Sequence, residues 1–305
     1  MKIYTSKLNE SWIVDRLRNE WIKYNSNLNT SFISKADIIW LIAPWVWKKV
    51  NSKQLKEKKV VCTIHHLEDG DIKSEKAIEF YERDQYIDVY HVISKKTKLE
   101  LSKHTDKPIK FIPFWTNNEL FFEIPDKETL RAALNIPKNA YVIGSFQRDT
   151  EGFDLKSPKL IKGPDRLINI FDEYNNRKEN LIILLAGKRR QYIISELSRK
   201  NINYLYFEMV NISKLNQLYN CLDLYIVASR IEGGPQAIFE CALTKTPIIS
   251  TDVGIASEIL NSKSIFKMDN FMEAEHDVDT AYANVTKYNI PQGFVEFYKL
   301  FQFIQ

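Results

Sequence analysis

Two carboxylates, Glu232 and Glu240, stand eight residues apart in the run Ser229-Arg-Ile-Glu-Gly-Gly-Pro-Gln-Ala-Ile-Phe-Glu240. The apolar stretch Leu222–Val227 just ahead of it reads as a buried strand, and a helix is expected to begin near Pro235. Proline suits a first helical turn, where its missing N–H would be unpaired anyway. Gly233 and Gly234 leave bare backbone just ahead of a positive helix end, a setting for phosphate or an oxygen-rich ligand. With one acid at the turn and the other along the helix, a single ligand can touch both.

Such a turn works only if strands and helices hold it at the edge of a sheet. Short β-rich runs alternate with helical patterns along the chain. In the front half the strands are expected at Lys2–Thr5, Ile38–Ile42, Lys59–Ile64, Val89–Ile93 and Ile109–Ile112. In the back half they fall at Tyr141–Phe146, Leu181–Ala186, Tyr204–Phe207, Leu222–Val227 and Pro247–Ser250, with a weaker one at Ser264–Phe266. Continuous apolar strands separated by helices imply parallel sheets covered on both faces. The fold class is therefore α/β, with two doubly wound domains facing each other. Residues 1–124 form the first and 139–290 the second, joined by a linker over 125–138. The aromatic, helix-compatible segment 292–305 is expected to pack back on the first domain.

Composition marks the same division. All six tryptophans lie in the first 115 residues, whereas seven of the nine glycines fall between Gly144 and Gly254. The formal charge of +4 sits wholly in the front half. A charge this mild, with no arginine-rich or RNP-like motif, gives no support for a nucleic-acid partner. Hydrophobic residues make up 44% of the chain, enough to exclude a disordered class. Cys62, Cys221 and Cys241 lack metal-ligand or CxxC spacing and read as reduced cytosolic thiols. The first residues lack the apolar core of a signal peptide.

Further motifs join the Glu-Gly-Gly-Pro turn in a recognisable order. Gly144-Ser-Phe-Gln-Arg148, Lys162-Gly163-Pro-Asp, Leu184-Leu-Ala-Gly187, Phe207-Glu-Met-Val210 and Pro247-Ile-Ile-Ser-Thr-Asp-Val-Gly254 accompany Glu232 and Glu240. With its E-x7-E pattern, the chain resembles the retaining, family-4 glycosyltransferases of the GT-B fold (glycosyl transferases group 1). The likeness covers the back half well. In the front half it rests on His65, after Val61-Cys-Thr-Ile, and on Ser94.

The resemblance implies that Arg148 and Lys162 bind the donor's diphosphate and stabilise charge as the nucleotide leaves. It places Glu232 and the Gly233-Gly234-Pro235 backbone by the donor sugar, Glu240 on the ribose, and Gly187, Met209 and Val210 near the base. His65 would face the sugar from the front domain. Thirteen residues separate Arg148 from Lys162, more than the family usually has, and make Lys156 and Lys159 rival phosphate ligands. Asp69-Gly70-Asp71 has the form of a metal-binding DxD, and Asp277-Val-Asp279 imitates it, but a polar turn is the expected reading. No metal or other cofactor is expected.

Six lysines lie between Lys48 and Lys59, next to Trp45 and Trp47. They read either as a solvated face or as a peripheral membrane contact through Trp45, Trp47, Lys48 and Lys49. The expected protein is a cytoplasmic hexosyltransferase of polysaccharide biosynthesis, peripheral at the inner membrane face under the second reading. It would move sugar from a UDP- or GDP-linked donor to a saccharide or lipid-linked acceptor. A nucleotide-sugar epimerase and a non-catalytic nucleotide-sugar-binding protein are the rivals.

Overall fold

A computed structural model describes residues 1–8, 13–67 and 75–305. Trp12 and the Asp69-Gly70-Asp71 motif lie outside the described residues. The chain divides into two units, Met1–Trp115 with Ile290–Gln305, and Thr116–Asn289.

Among the described residues of the first unit, five parallel strands run in the order β1 (Ile3–Thr5), β2 (Ile38–Leu41), β3 (Lys59–Ile64), β4 (Val89–Val92) and β5 (Ile109–Phe111). Among the described residues four α-helices connect them: α1 (Ile13–Tyr24), α2 (Ser52–Glu57), α3 (Glu75–Asp84) and α4 (Lys95–Leu101). Side chains alternate across a strand, so the two faces can be read from β2. Ile38 and Trp40 enter one core with α1, whereas Ile39 and Leu41 enter another with Leu55, Phe80 and Leu101. Both faces are therefore covered, which explains the unbroken apolar strands.

The second unit begins with α5 (Lys127–Ala132), tied down by Arg131 and Lys127 on Asp223 at 2.5 and 2.8 Å. Its main strands are β6 (Tyr141–Ser145), β9 (Leu181–Ala186), β10 (Tyr204–Phe207), β11 (Leu224–Val227), β12 (Ile248–Thr251) and β13 (Ile265–Phe266), ordered β10-β9-β6-β11-β12-β13 and all parallel. A separate antiparallel pair, β7 (Thr150–Glu151) and β8 (Ser157–Pro158), interrupts the first crossover. Helices α6 (Pro164–Arg177), α7 (Gln191–Arg199), α8 (Ile212–Asn220), α9 (Gln236–Leu243), α10 (Ala256–Ile259) and α11 (Val278–Thr286) complete the unit.

All the strands expected from the sequence are present, with ends displaced by at most two residues; β11, for example, starts at Leu224 rather than Leu222. The small β7–β8 hairpin was not anticipated. Its two-residue strands are too short to show a period, and Gly152 and Pro158 read as loop.

The C-terminal helix α12 (Val295–Phe303) packs on the first unit, as the sequence suggests. Phe294, Phe297, Leu300, Phe301 and Ile304 join Trp21, Trp40 and Trp115 in one core. The Phe301 ring lies 5.5 Å from Trp21 and 5.4 Å from Trp40. The Trp115 indole N–H donates to Glu20 at 2.9 Å, which satisfies its polar edge inside that core.

Candidate functional site

In the second unit, the chain leaves β6 toward β9 on one side and leaves β11 toward β12 on the other. The crevice beyond the carboxyl ends of β6 and β11 is thus a topological switch point, where open parallel sheets bind their ligands. Arg148 follows β6, and the Ser229–Pro235 turn follows β11. Gly187 follows β9, Met209 and Val210 follow β10, and Gly254 follows β12, so these residues share the sheet's carboxyl edge.

Glu232 is the hub of the crevice. Its Oε1 accepts from Lys162 Nζ at 2.5 Å and from Ser229 Oγ at 3.2 Å, and both charged side chains are mostly buried. Gln147 donates to the Lys162 carbonyl at 2.7 Å, which ties the Lys162 turn to the end of β6. Two glycines allow this close assembly. Gly163, at φ +65°, passes so close to β11 that a Cβ would lie 2.0 Å from the Ala228 carbonyl oxygen. Gly254, at φ +50°, lies against the Glu232–Gly233 turn, and a Cβ there would come within 2.1 Å of the Gly233 oxygen and 2.6 Å of the Glu232 oxygen. Pro235 caps α9 rather than opening its first turn, with its carbonyl accepting from Ile238 at 3.0 Å.

Positive charge gathers beside this carboxylate. Burial and the neighbouring Arg189 lower the Arg148 pKa, and burial together with Lys162 and Arg148 lowers that of Lys159. Among the described residues neither Arg148 nor Lys159 forms an ion pair. Lys156 is exposed, whereas Lys159 is half-buried. Underneath lies a pair that sequence reading missed. Arg190 and Asp149 are fully buried and meet at 2.5 Å, and Arg190 also donates to the Ser145 and Ala186 carbonyls. A basic residue in a polar run reads as surface; its partner is 41 positions away.

Glu240 lies on the buried side of α9, where the Tyr219 hydroxyl donates to its Oε2 at 2.7 Å. Burial and the adjacent carboxylate raise the Tyr219 pKa, so this hydroxyl remains a donor. Met209 is 58% exposed, Val210 is half-buried, and Gly187 has its carbonyl held by the Tyr206 hydroxyl at 3.1 Å. Asp277 caps α11 by accepting the Thr280 N–H at 3.0 Å, the local role that competes with metal binding for such motifs.

The first unit has its own carboxyl edge. His65 follows β3, with Nε2 at 2.9 Å from the Ile42 carbonyl and its ring stacked on Phe114. Burial lowers its pKa to about 4. It is therefore neutral at pH 7, donates from Nε2, and cannot serve there as a general acid. His91, which was not singled out, bridges Thr63 at 2.9 Å and the Ile112 carbonyl at 2.7 Å, and burial lowers its pKa to about 3. Ser94 caps α4.

The lysine run does not form one patch. Trp45 and Lys48 follow β2, whereas Lys58 and Lys59 stand at the start of β3, the opposite end of the sheet. Trp45 is 48% exposed, but Trp47 is buried with its indole N–H on Glu79 at 3.0 Å. Lys48 pairs with Glu79 at 3.6 Å, and Lys49 donates to the Leu8 carbonyl at 3.4 Å. No described helix is long and apolar enough to cross a membrane.

Among solved structures, HepE from Anabaena, in complex with UDP and glucose, is similar at 13% identity and a TM-score of 0.77, covering 99% of each chain. Sucrose-phosphate synthase from Thermosynechococcus elongatus aligns at 15% identity and a TM-score of 0.69, over 97% of this chain and 80% of that one. A glycosyltransferase from Rickettsia africae aligns at 17% and 0.64, over 98% and 84%. No curated protein matches by sequence. Two Rossmann-like units with these neighbours define a GT-B fold. The family described as glycosyl transferases group 1 matches residues 126–288, and the chain belongs to it: the protein is a glycosyltransferase.

Proposed function

We propose that the protein is a retaining, metal-independent hexosyltransferase that uses a nucleoside diphosphate sugar. The observation carrying this reading is the crevice at the switch point, where cations unbalanced by carboxylates surround Glu232. Arg148 and Lys162 bind the diphosphate and supply the positive charge that a divalent ion supplies in other transferases. The Gly233-Gly234-Pro235 backbone and Glu232 hold the sugar, and Glu240, steadied by Tyr219, binds the ribose hydroxyls. Gly187, Met209 and Val210 border the base. The UDP in the HepE structure supports a uridine donor, and GDP is the alternative to be tested.

No side chain is assigned as a nucleophile, so transfer is read as attack on the sugar face from which the nucleotide leaves. The anomeric C–O bond breaks with its electron pair going to the diphosphate. The acceptor oxygen forms the new bond on the same face, and its proton passes to the departing phosphate oxygen. His65, a neutral ring, positions the sugar without exchanging a proton. The acceptor is a saccharide or a lipid-linked glycan of polysaccharide synthesis, reached from the cytoplasm, with Trp45 and Lys48 as the groups able to meet a membrane surface.

The test is turnover of UDP- and GDP-hexoses with saccharide and lipid-linked acceptors, with and without EDTA. Expected are release of nucleoside diphosphate in EDTA and a product whose anomeric configuration matches the donor by NMR. An inverted product or full dependence on added metal overturns the proposal.

A further inference from the structure

The segment between Arg148 and Lys162 is the part of the crevice that the site's roles leave unused, and it is built rather than loose. It leaves β6 through Arg148, forms the β7–β8 hairpin, and returns through a single 3-10 turn at Leu160–Lys162. The fully buried Asp149 fixes its base twice. Its carboxylate meets Arg190, and its carbonyl accepts the Lys159 N–H at 2.7 Å. The Lys159 carbonyl in turn accepts the Lys162 N–H at 2.8 Å. The hairpin thus returns Lys159 to the base it started from, as the N-cap of the turn that ends in Lys162.

Lys162 already has a carboxylate on its ammonium group. We propose that Lys159, carried in by the hairpin, is a third ligand of the donor's diphosphate beside Arg148 and Lys162. The inference rests on the donor reading above. Burial first, and then the nearby Lys162 and Arg148, disfavour the charged form of Lys159, and a bound anion would relieve this. A diphosphate supplies that anion, and its charge grows as the sugar–oxygen bond breaks. Lys156, exposed near the hairpin tip and with its backbone N–H on Asp154 at 3.1 Å, has no such surroundings.

Calorimetry on the full chain separates the possibilities, using UDP, GDP and their parent nucleosides as probes. Lys159→Ala is expected to weaken the preferred diphosphate by roughly tenfold or more, the scale of one charge-assisted hydrogen bond, and to leave nucleoside affinity unchanged. Lys159→Arg restores most of the diphosphate affinity, and Lys156→Ala leaves it intact. Lys159→Ala that binds diphosphate as tightly as wild type overturns this role, as does an equal loss for nucleoside. A wild-type protein that binds neither diphosphate overturns the donor reading itself.

Discussion

The two units share an architecture and fill its carboxyl edge with opposite chemistry. The second unit presents glycine backbone, Glu232 and a group of cations at its switch point. The first unit presents rings: His65 on Phe114, with Trp45 beside it at 5.8 Å. Below that edge it packs Trp21, Trp40, Trp115 and the phenylalanines of α12 into one core. The contrast shows that the sheet decides only where a site lies. Residues at the strand ends decide whether that place holds charge or apolar surface.

Three outcomes break or sharpen the contrast. The largest is expected from Phe301→Ala, which empties the centre of the aromatic core. It should cost about 3–5 kcal/mol in urea unfolding followed by tryptophan fluorescence, with nucleotide affinity retained wherever the protein stays folded. A parallel loss of nucleotide binding would mean that the two edges are not independent.

Gly254→Ala should act on the other side of the comparison. The added Cβ meets backbone oxygens of the Glu232–Gly233 turn, which cannot yield as a side chain would. A shift of about 1 Å in that turn predicts roughly a hundredfold loss of kcat/KM, far exceeding any change in donor-independent stability of the first unit. Unchanged turnover would remove the turn from the mechanism.

Acid should distinguish the units with the smallest effect per residue. His65 and His91 ionise at about 4 and about 3 when folded, against 6.5 when free. The unfolded chain therefore takes up protons first, so their contribution is complete above pH 6.5 and is lost as pH falls. Between pH 6.5 and 5 each should cost about 2 kcal/mol, read as a falling urea midpoint. His91→Asn should flatten about half of that slope, and a slope that persists in full would point to other groups.

Much of the candidate site was legible because its chemistry is local in sequence. Glu232, Gly233, Gly234 and Pro235 are adjacent, and their spacing to Glu240 spans one turn and one helix. What stayed hidden depends on distant partners. Tyr219 reaches Glu240 across 21 positions, and Asp149 reaches Arg190 across 41. Tyr219, Asp149 and Arg190 do not look unusual where they stand. The aromatic tail was legible as a helix seeking a core, but Glu20 beneath Trp115 was not, since a helical acid reads as solvated until an indole is found on it.

The placement of α12 also orders events during synthesis. The core around Trp21 and Trp40 contains Phe297 and Phe301, and the whole of Thr116–Asn289 lies between them in the chain. A ribosome finishes the second unit before it delivers the residues that close the first one. The first unit must wait, with its tryptophans incompletely covered, until the helix emerges. Chaperones that recognise aromatic surface have their longest opportunity on the segment made first.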